Sequence, residues 1–491
     1  MEINSTHFLL FFIVVFLIYY LPLKNHAKGQ NLWLLLCSYY AFGVVEWRML
    51  PLLIGVTGFY FFLGIAIARN NGKDERKASL LTTFGTLTGV GVLVYFKYLN
   101  FLIDAFTEMF LSLGLQVGSH TLGIIMPVGI SFFTFKLISY IIEVHRGHMP
   151  PCQDMVAFAT YVAFFPTLLS GPIDRPKPFL QQLSHNRTFT YPSEHNQVVD
   201  GIRQTLWGLF KKVVIADSLV TFVDLGWNKT GESTQWALAL VALTYPIQLY
   251  MDFSGYSDMA IGVSKMLGIQ VAKNFNYPFF AQNMADYWRR WHISLTSWLT
   301  DYVFMPLNIM FRDWGNMGMI LACIINMVVV GVWHGANWTF VLFGLYHGLL
   351  FIPLILNGSF TSKKKVKTEG YLPSIRHVGK MLMTYLLVAI GLVIFRADNI
   401  ISLGHFVSTL LMGNPYMEYE SLEVSQFPKT TFFLAVLLLI AEWIAMHKKK
   451  EFALQLSEEW KAWGRYSVYM LLVLLYLLKV GGSHEFIYAQ F

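Results

Sequence analysis

Charge is the scarcest commodity in this sequence. Only 13% of its 491 residues are Asp, Glu, Lys or Arg, while 55% are hydrophobic and the mean hydropathy is +0.50. A soluble domain carries roughly a quarter charged residues, so that shortage excludes a soluble globular chain and marks an integral membrane protein. Cysteine is nearly absent as well. Cys37, Cys152 and Cys323 stand far apart in apolar or loop contexts, which excludes a disulfide framework and a thiolate metal site and leaves them as packing residues. Neither an H-E-x-x-H ligand pair nor a G-x-S-x-G nucleophile elbow occurs. The first apolar run, Phe8 to Leu23, has no basic leader and no small-residue cleavage pattern; it reads as a retained first helix rather than a signal peptide.

What is present is a series of solid apolar runs without the alternation of a membrane barrel. Each is near the roughly 20 residues a bilayer crossing needs. The expectation is an all-α, polytopic transmembrane helical bundle of about 11 spans, forming one membrane domain over residues 1–491, with no internal repeat and no soluble domain. Early spans are expected over Leu32 to Val45, Leu52 to Ala68 and Leu80 to Phe96. The net charge of +7 does not imply nucleic acid, because the basic residues cluster in short loops where the positive-inside rule wants them. Lys24, Lys28, Arg69, Lys73, Arg76 and Lys77 are thereby expected to be cytoplasmic, which puts Met1 on the outer side. The runs Ser362 to Lys367 and His447 to Lys450 are expected to be cytoplasmic too. Segments Leu102 to Leu115 and Leu403 to Met412 carry polar breaks and read as interfacial helices. Pro127, Pro151, Pro166, Pro172, Pro176 and Pro178 predict broken or re-entrant helices between Gly123 and Leu180, lining a cavity. The polar stretch Ser184 to Val199 reads as a surface loop.

Three clusters carry possible chemistry. The first is Trp333 to Gly348, WHGANWTFVLFGLYHG, inside a run from Trp314 to Ser362 that contains no Asp, Glu, Lys or Arg. His334 is either a satisfied core histidine or a functional group facing a water-filled cavity. Gly331, Gly335 and Ala336 would let a ligand or a second backbone approach it, with Trp333 and Trp338 as walls. The run folds either as a hairpin with His334 near the tip or as one long span followed by a half-helix. On a continuous helix His334 and His347 would lie some 140° apart and could not share an ion, so no metal site is expected.

The second cluster, Asp286 to Asp301, reads DYWRRWHISLTSWLTD. As a helix it puts Trp288, Trp291, Leu295, Trp298 and Leu299 on one stripe, Arg289 and Arg290 off it, and His292 in line with Thr296. It is an interfacial helix, or a place where two guanidinium groups meet a phosphate-bearing donor. The third, Gln248 to Gly262, places Asp252 and Asp258 in apolar surroundings. Their partner is Arg289, Arg290 or Lys212, or they orient a histidine. Arg396 and Asp398 suggest a local ion pair at a helix end.

The ordered series MPVGISFFTFKLISYIIEVHRG from Met126, FFPTLLSGPIDRPKPF from Phe164, GLFKKVVIADSL from Gly208, QLYMDFSGYSDMAIG from Gln248, NFNYPFFAQNMADYWRRWHISLTSWLTDY from Asn274, VWHGANWTFVLFGLYHG from Val332, IFRADN from Ile394 and the final FIYAQF resembles the membrane-bound O-acyltransferase family, in its bacterial branch of alginate O-acetylation and teichoic-acid D-alanyl transfer. The resemblance implies that His334 is the catalytic histidine and His292 the supporting one. It also implies a bundle with a tunnel in a bacterial inner membrane, an acyl donor entering from the cytoplasm, and an acceptor waiting outside. Thr300 stands where the family commonly has Arg before the Asp-Tyr, and Asn308, Ile309 and Met310 replace a glycine-rich sequence after Leu307. On this reading neutral His334 removes a proton from a hydroxyl attacking a thioester. His292 orients a substrate, while Asn337 supports the oxyanion or caps a helix. Trp333, Arg289, Arg290 and Asp252 complete the candidate substrate contacts. No resident cofactor is expected. Acetyl-CoA is the expected donor and an extracytoplasmic polysaccharide the acceptor, with an esterase-like periplasmic partner. D-alanyl transfer from a carrier protein is the alternative of the same class, and a transporter or lipid flippase the alternative of another.

Overall fold

A computed structural model describes residues 1, 3–115, 118, 122–124, 126–188, 197–360, 371–413 and 424–479. The basic run Ser362 to Lys367, the C-terminal FIYAQF and the middle of the Ser184 to Val199 stretch lie outside those residues. Among the described residues every regular element is helical. They group into two compact units, one of Met1–Ile202 with Ala260–Ala272, the other of Arg203–Met259 with Lys273–Phe491.

The first unit holds α1 (Thr6–Tyr20), α2 (Ala27–Glu46), α3 (Leu50–Asn70), α4 (Glu75–Leu93), α5 (Leu99–Ser112), α6 (Ile130–His145), α7 (Met155–Ala163), α8 (Phe165–Leu168) and α9 (Pro176–Leu183). The four early apolar runs fall in α1 to α4. Polar residues set their ends: Ser5 caps α1 through Phe8 N–H, and Asp74 caps α4 through Lys77 N–H, each satisfying an orphan donor. The proline-rich stretch is broken into short helices, as expected, because Pro166 and Pro176 sit at helix starts where a missing N–H is harmless. Gly129 starts α6 with φ +74°, and a Cβ there would stand 2.4 Å from the Leu168 carbonyl oxygen. Only glycine meets both demands.

The second unit takes up α10 (Gln197–Leu209), whose first turn belongs to the other unit, α11 (Asp217–Asn228) and most of α12 (Gln235–Met266). It continues with α13 (Met284–Trp288), α14 (Ile293–Leu299), α15 (Met305–Met310), α16 (Gly315–His334), α17 (Trp338–Leu350), α18 (Ile352–Leu356), α19 (Ile375–Arg396), α20 (Ile400–Met412), α21 (Lys429–His447) and α22 (Ala462–Leu477).

Six helical segments among the described residues are long and apolar enough to cross a membrane, and Thr6–Tyr20, Ile400–Met412 and Ala462–Leu477 are shorter apolar helices. One of the six, Ala27–Asn70, contains 44 residues. It bends where Glu46 leaves helical geometry at φ −152° and ψ 79°, giving two arms of about 30 Å each.

The uncharged run forms the hairpin. α16 and α17 meet backbone against backbone: a Cβ on Gly331 would lie 2.0 Å from the Phe340 carbonyl oxygen, and one on Gly344 would lie 2.4 Å from that of Met327. Gly344 and Gly348 are one turn apart, the small-xxx-small spacing that lets membrane helices approach closely.

Gly331→Ala should therefore lower stability by about 1–3 kcal/mol, the usual effect of overpacking. Gly379→Ala in α19, where a Cβ meets nothing within 4 Å, should raise it by up to about 1 kcal/mol through helix propensity. Thermal unfolding of the purified protein in detergent checks both.

Candidate active site

The hairpin turn is made by Gly335 to Asn337. Gly335 leaves the helix in an extended conformation at φ −178° and ψ 165°, and Asn337 caps α17 by accepting from Thr339 N–H at 3.1 Å. Its amide group donates to the Asp398 carbonyl at 2.5 Å. Both ends of this side chain are thus engaged in holding the turn, the cap role among the two considered from sequence. His334 is the last residue of α16 and is 3% exposed. Its ring sits among Trp333, Phe340, Phe343 and Phe395, with the Phe395 ring 5.0 Å away edge-on.

His292 arrives from a different part of the chain. The stretch Asp286 to Asp301 does not form one continuous helix: it breaks between α13 and α14, where His292 takes left-handed backbone angles of φ 44° and ψ 50°. For a side-chain-bearing residue that conformation costs about 1–2 kcal/mol. Local bonds impose it. Asn274 accepts from Ile293 N–H through its carbonyl at 2.9 Å, Asn276 N–H donates to the Arg290 carbonyl at 3.0 Å, and Ser294 Oγ donates to Asn274 Oδ1 at 2.5 Å. The tryptophan stripe survives the break, since Trp288, Trp291, Leu295, Trp298 and Leu299 are all buried. Hydrophobic burial holds the positions even where helical continuity is lost.

The two histidines come together. Their ring centroids are 6.4 Å apart, and Trp333 packs edge-on to both, at 5.4 Å from His292 and 5.0 Å from His334. His292 is fully buried, with Phe253 of α12 edge-on at 4.7 Å. Burial alone pushes its imidazole down to about 3, so the ring is neutral at working pH.

The carboxylates of α12 find lysines. Gly208 lies so near α12 that a Cβ would stand 2.4 Å from the Gly255 carbonyl oxygen. That approach brings in the wide π-helical turn Phe210–Ala216. Lys212 pairs with Asp252 at 2.7 Å and Asp217 at 2.8 Å. Lys211 pairs with Asp258 at 2.9 Å and with Glu442 of α21 at 3.0 Å. Gln204 and the Tyr250 hydroxyl donate to the remaining oxygens of Asp258 and Glu442, each at 2.8 Å. Asp252 thus serves an ion pair with Lys212, one of the three partners expected. Glu442 was missed, although a single carboxylate in the apolar run of α21 was the available signal.

Arg290 bonds Asp286 at 3.0 Å, while Arg289 is exposed. Arg396 reaches Asp398 at 3.7 Å as expected, but its shorter bond, 2.9 Å, goes to Asp224 of α11. Among the described residues no group of three His, Cys, Asp or Glu side chains is placed to hold a metal ion.

Residues 143–393, which contain both histidines, match the membrane-bound O-acyltransferase family. The chain is 38% identical to a Pseudomonas aeruginosa protein named "Probable alginate O-acetylase", over 82% of this chain and 73% of that one. It is 31% identical to a Helicobacter pylori protein named peptidoglycan O-acetyltransferase, over 81% and 77% respectively. A Bacillus subtilis protein named teichoic acid D-alanyltransferase is 30% identical over 55% of this chain and 68% of that one.

Lys212→Met removes the cation from a buried site that keeps both carboxylates, and should destabilise the protein by about 3–5 kcal/mol. Lys229→Met, which breaks an exposed pair with Glu232 at 3.6 Å, should stay within about 1 kcal/mol. Denaturation of the two variants side by side in detergent makes the comparison.

Proposed function

The chain belongs to the membrane-bound O-acyltransferase family, and from that membership we propose that it moves an acetyl group from cytoplasmic acetyl-CoA to hydroxyls of an extracytoplasmic polysaccharide, with His334 as general base. The observation that carries this reading is the meeting of the His292 and His334 rings at the turn of an uncharged membrane hairpin, with centroids 6.4 Å apart. A ring at the end of α16 can serve a reaction only if its partners come to it; beside Gly335 the space is taken by the Phe340 ring, 2.2 Å from where a Cβ would stand.

An alcohol is a poor nucleophile at neutral pH. As its oxygen attacks the thioester carbonyl, His334 takes the hydroxyl proton; collapse of the tetrahedral intermediate then forms the ester and expels the thiolate, which is protonated in turn. His292, held by Phe253, Trp333 and the strained turn, orients a substrate and stays uncharged. Asn337 is occupied with the turn, so it supports the reaction by fixing His334 rather than by binding the oxyanion. Arg289 is the exposed cation of the pair and suits the phosphates of a nucleotide-bearing donor.

In this reading the protein sits in the bacterial inner membrane with Met1 outside, and a periplasmic esterase-like partner passes the acetyl group onward. D-alanyl transfer to a cell-wall polymer is the second reading, favoured by the similarity to the teichoic acid D-alanyltransferase. The transporter alternative falls with the family membership.

Reconstituted protein supplied with labelled acetyl-CoA and an alginate oligosaccharide should form labelled ester. His334→Ala should reduce turnover about 10²- to 10⁴-fold while eluting as a folded species. Turnover by that variant at the parental rate would remove the base from the mechanism. Without acceptor the protein should remain unlabelled; stable label on His334 would replace general-base by covalent catalysis. Arg289→Ala should raise the KM for acetyl-CoA and leave that for the acceptor alone.

A further inference from the structure

The mechanism leaves one buried imidazole unused. His347 lies on α17, 13 residues beyond His334, and is 1% exposed. Its Nδ1 is buried and has no hydrogen-bond partner among the described residues; the same holds for Nε1 of Trp288, 7% exposed, at the end of α13. The two rings face each other edge-on with centroids 5.2 Å apart. Buried polar groups in folded proteins are nearly always paired, so two such atoms on rings in edge contact call for a partner.

The surroundings fix where this spot lies. The Phe343 ring is 4.6 Å from His347, 6.3 Å from Trp288 and 6.3 Å from His334. A single aromatic ring therefore neighbours both of these rings and the proposed base. On its other edge His347 is pressed against α19: a Cβ on Gly391 would stand 2.4 Å from Nε2. That contact requires a glycine at position 391.

We propose that Trp288 Nε1 and His347 Nδ1 form a polar subsite for a neutral substrate group that both accepts and donates a hydrogen bond. An indole N–H can only donate, whereas a neutral imidazole nitrogen accepts. The pair thus fits an oxygen facing the tryptophan and an N–H or O–H facing the histidine. A secondary amide in the arm of the acyl donor has this pattern, and so does a hydroxyl of the acceptor. A charged group does not fit this pattern, since a neutral indole and a neutral imidazole bring it no counter-charge. The subsite rests on the acyl-transfer reading and adds to it a contact one ring from the reacting atoms, where a bound group would set the distance between substrate and base.

The test uses the full chain reconstituted in lipid, with KM measured separately for acetyl-CoA and for alginate oligosaccharide. Trp288→Phe keeps the packing and deletes the donor; His347→Phe deletes the acceptor. Each should raise the KM of the same single substrate by about 3- to 10-fold, the value of one neutral hydrogen bond. His347→Asn, whose amide reaches the place of Nδ1, should restore it to within about twofold of the parent. Gly391→Ala, whose Cβ would crowd Nε2 and so displace the ring without removing either proposed hydrogen-bonding atom, should reproduce the loss. A shift in the acetyl-CoA value assigns the amide, and a shift in the oligosaccharide value assigns the hydroxyl.

The subsite is overturned if Trp288→Phe and His347→Phe leave both KM values within twofold, or if both KM values rise while kcat falls, as in a generally disturbed fold. Should the parent chain transfer no acetyl group, the functional reading fails separately. Equilibrium binding of labelled acetyl-CoA and labelled oligosaccharide then decides the subsite alone, with identical Kd values for parent and Trp288→Phe counting against it.

Discussion

The direct contact of α16 with α17 is the constraint on which the candidate site depends. Where Gly331 faces the Phe340 carbonyl there is no room for a single additional carbon. Lipid gives two apolar helices little reason to associate, since it solvates leucine as well as protein does. Close backbone approach supplies that reason through dispersion and packing. Because the helices touch so near the turn, the connection shrinks to three residues, and His334 becomes the last helical residue before the chain reverses.

The other half of the site is built by the opposite means. His292 is not delivered by helix packing but by a break in a helix, clamped by Asn274 and Asn276. The local strain is set against a dense aromatic shell of Phe253, Trp291 and Trp333. Behind that shell, α12 is held by the two lysine clusters. Buried ion pairs of this kind add little net stability compared with apolar packing, but they discriminate sharply against a shifted register, because any slip strands a charge. A helix that carries Phe253 against His292, five positions from Asp258 and one from Asp252, is thereby fixed along its axis. The wide turn at Phe210–Ala216 allows consecutive Lys211 and Lys212 to serve different carboxylates.

Much of this was legible in the residues. The charge-free run announced a hairpin or a long span, the small residues around His334 announced a close approach, and the paired carboxylates of α12 announced cations. The break at His292 was not legible. Alternation of Trp288, Trp291, Leu295 and Trp298 suits a helix perfectly well, and the turn arises from hydrogen bonds to Asn274 and Asn276, 16 or more residues upstream. Glu442 and Asp224 were missed for the same reason, being distant partners of residues whose near neighbours offered plausible alternatives.

Composition and periodicity by themselves determined that the chain is helical, membrane-embedded and poor in ionisable groups, so that each intramembrane His, Asp or Lys demanded an explanation. The free energy of burying charge and backbone in an apolar medium is large enough to be written in every stretch of sequence. Only the tertiary structure decided which of those groups meet: His292 with His334, Lys211 with Glu442, and His347 with Trp288. Such meetings depend on ångström-scale differences in how glycine surfaces and aromatic rings pack, and those differences are set by the whole fold rather than by any segment.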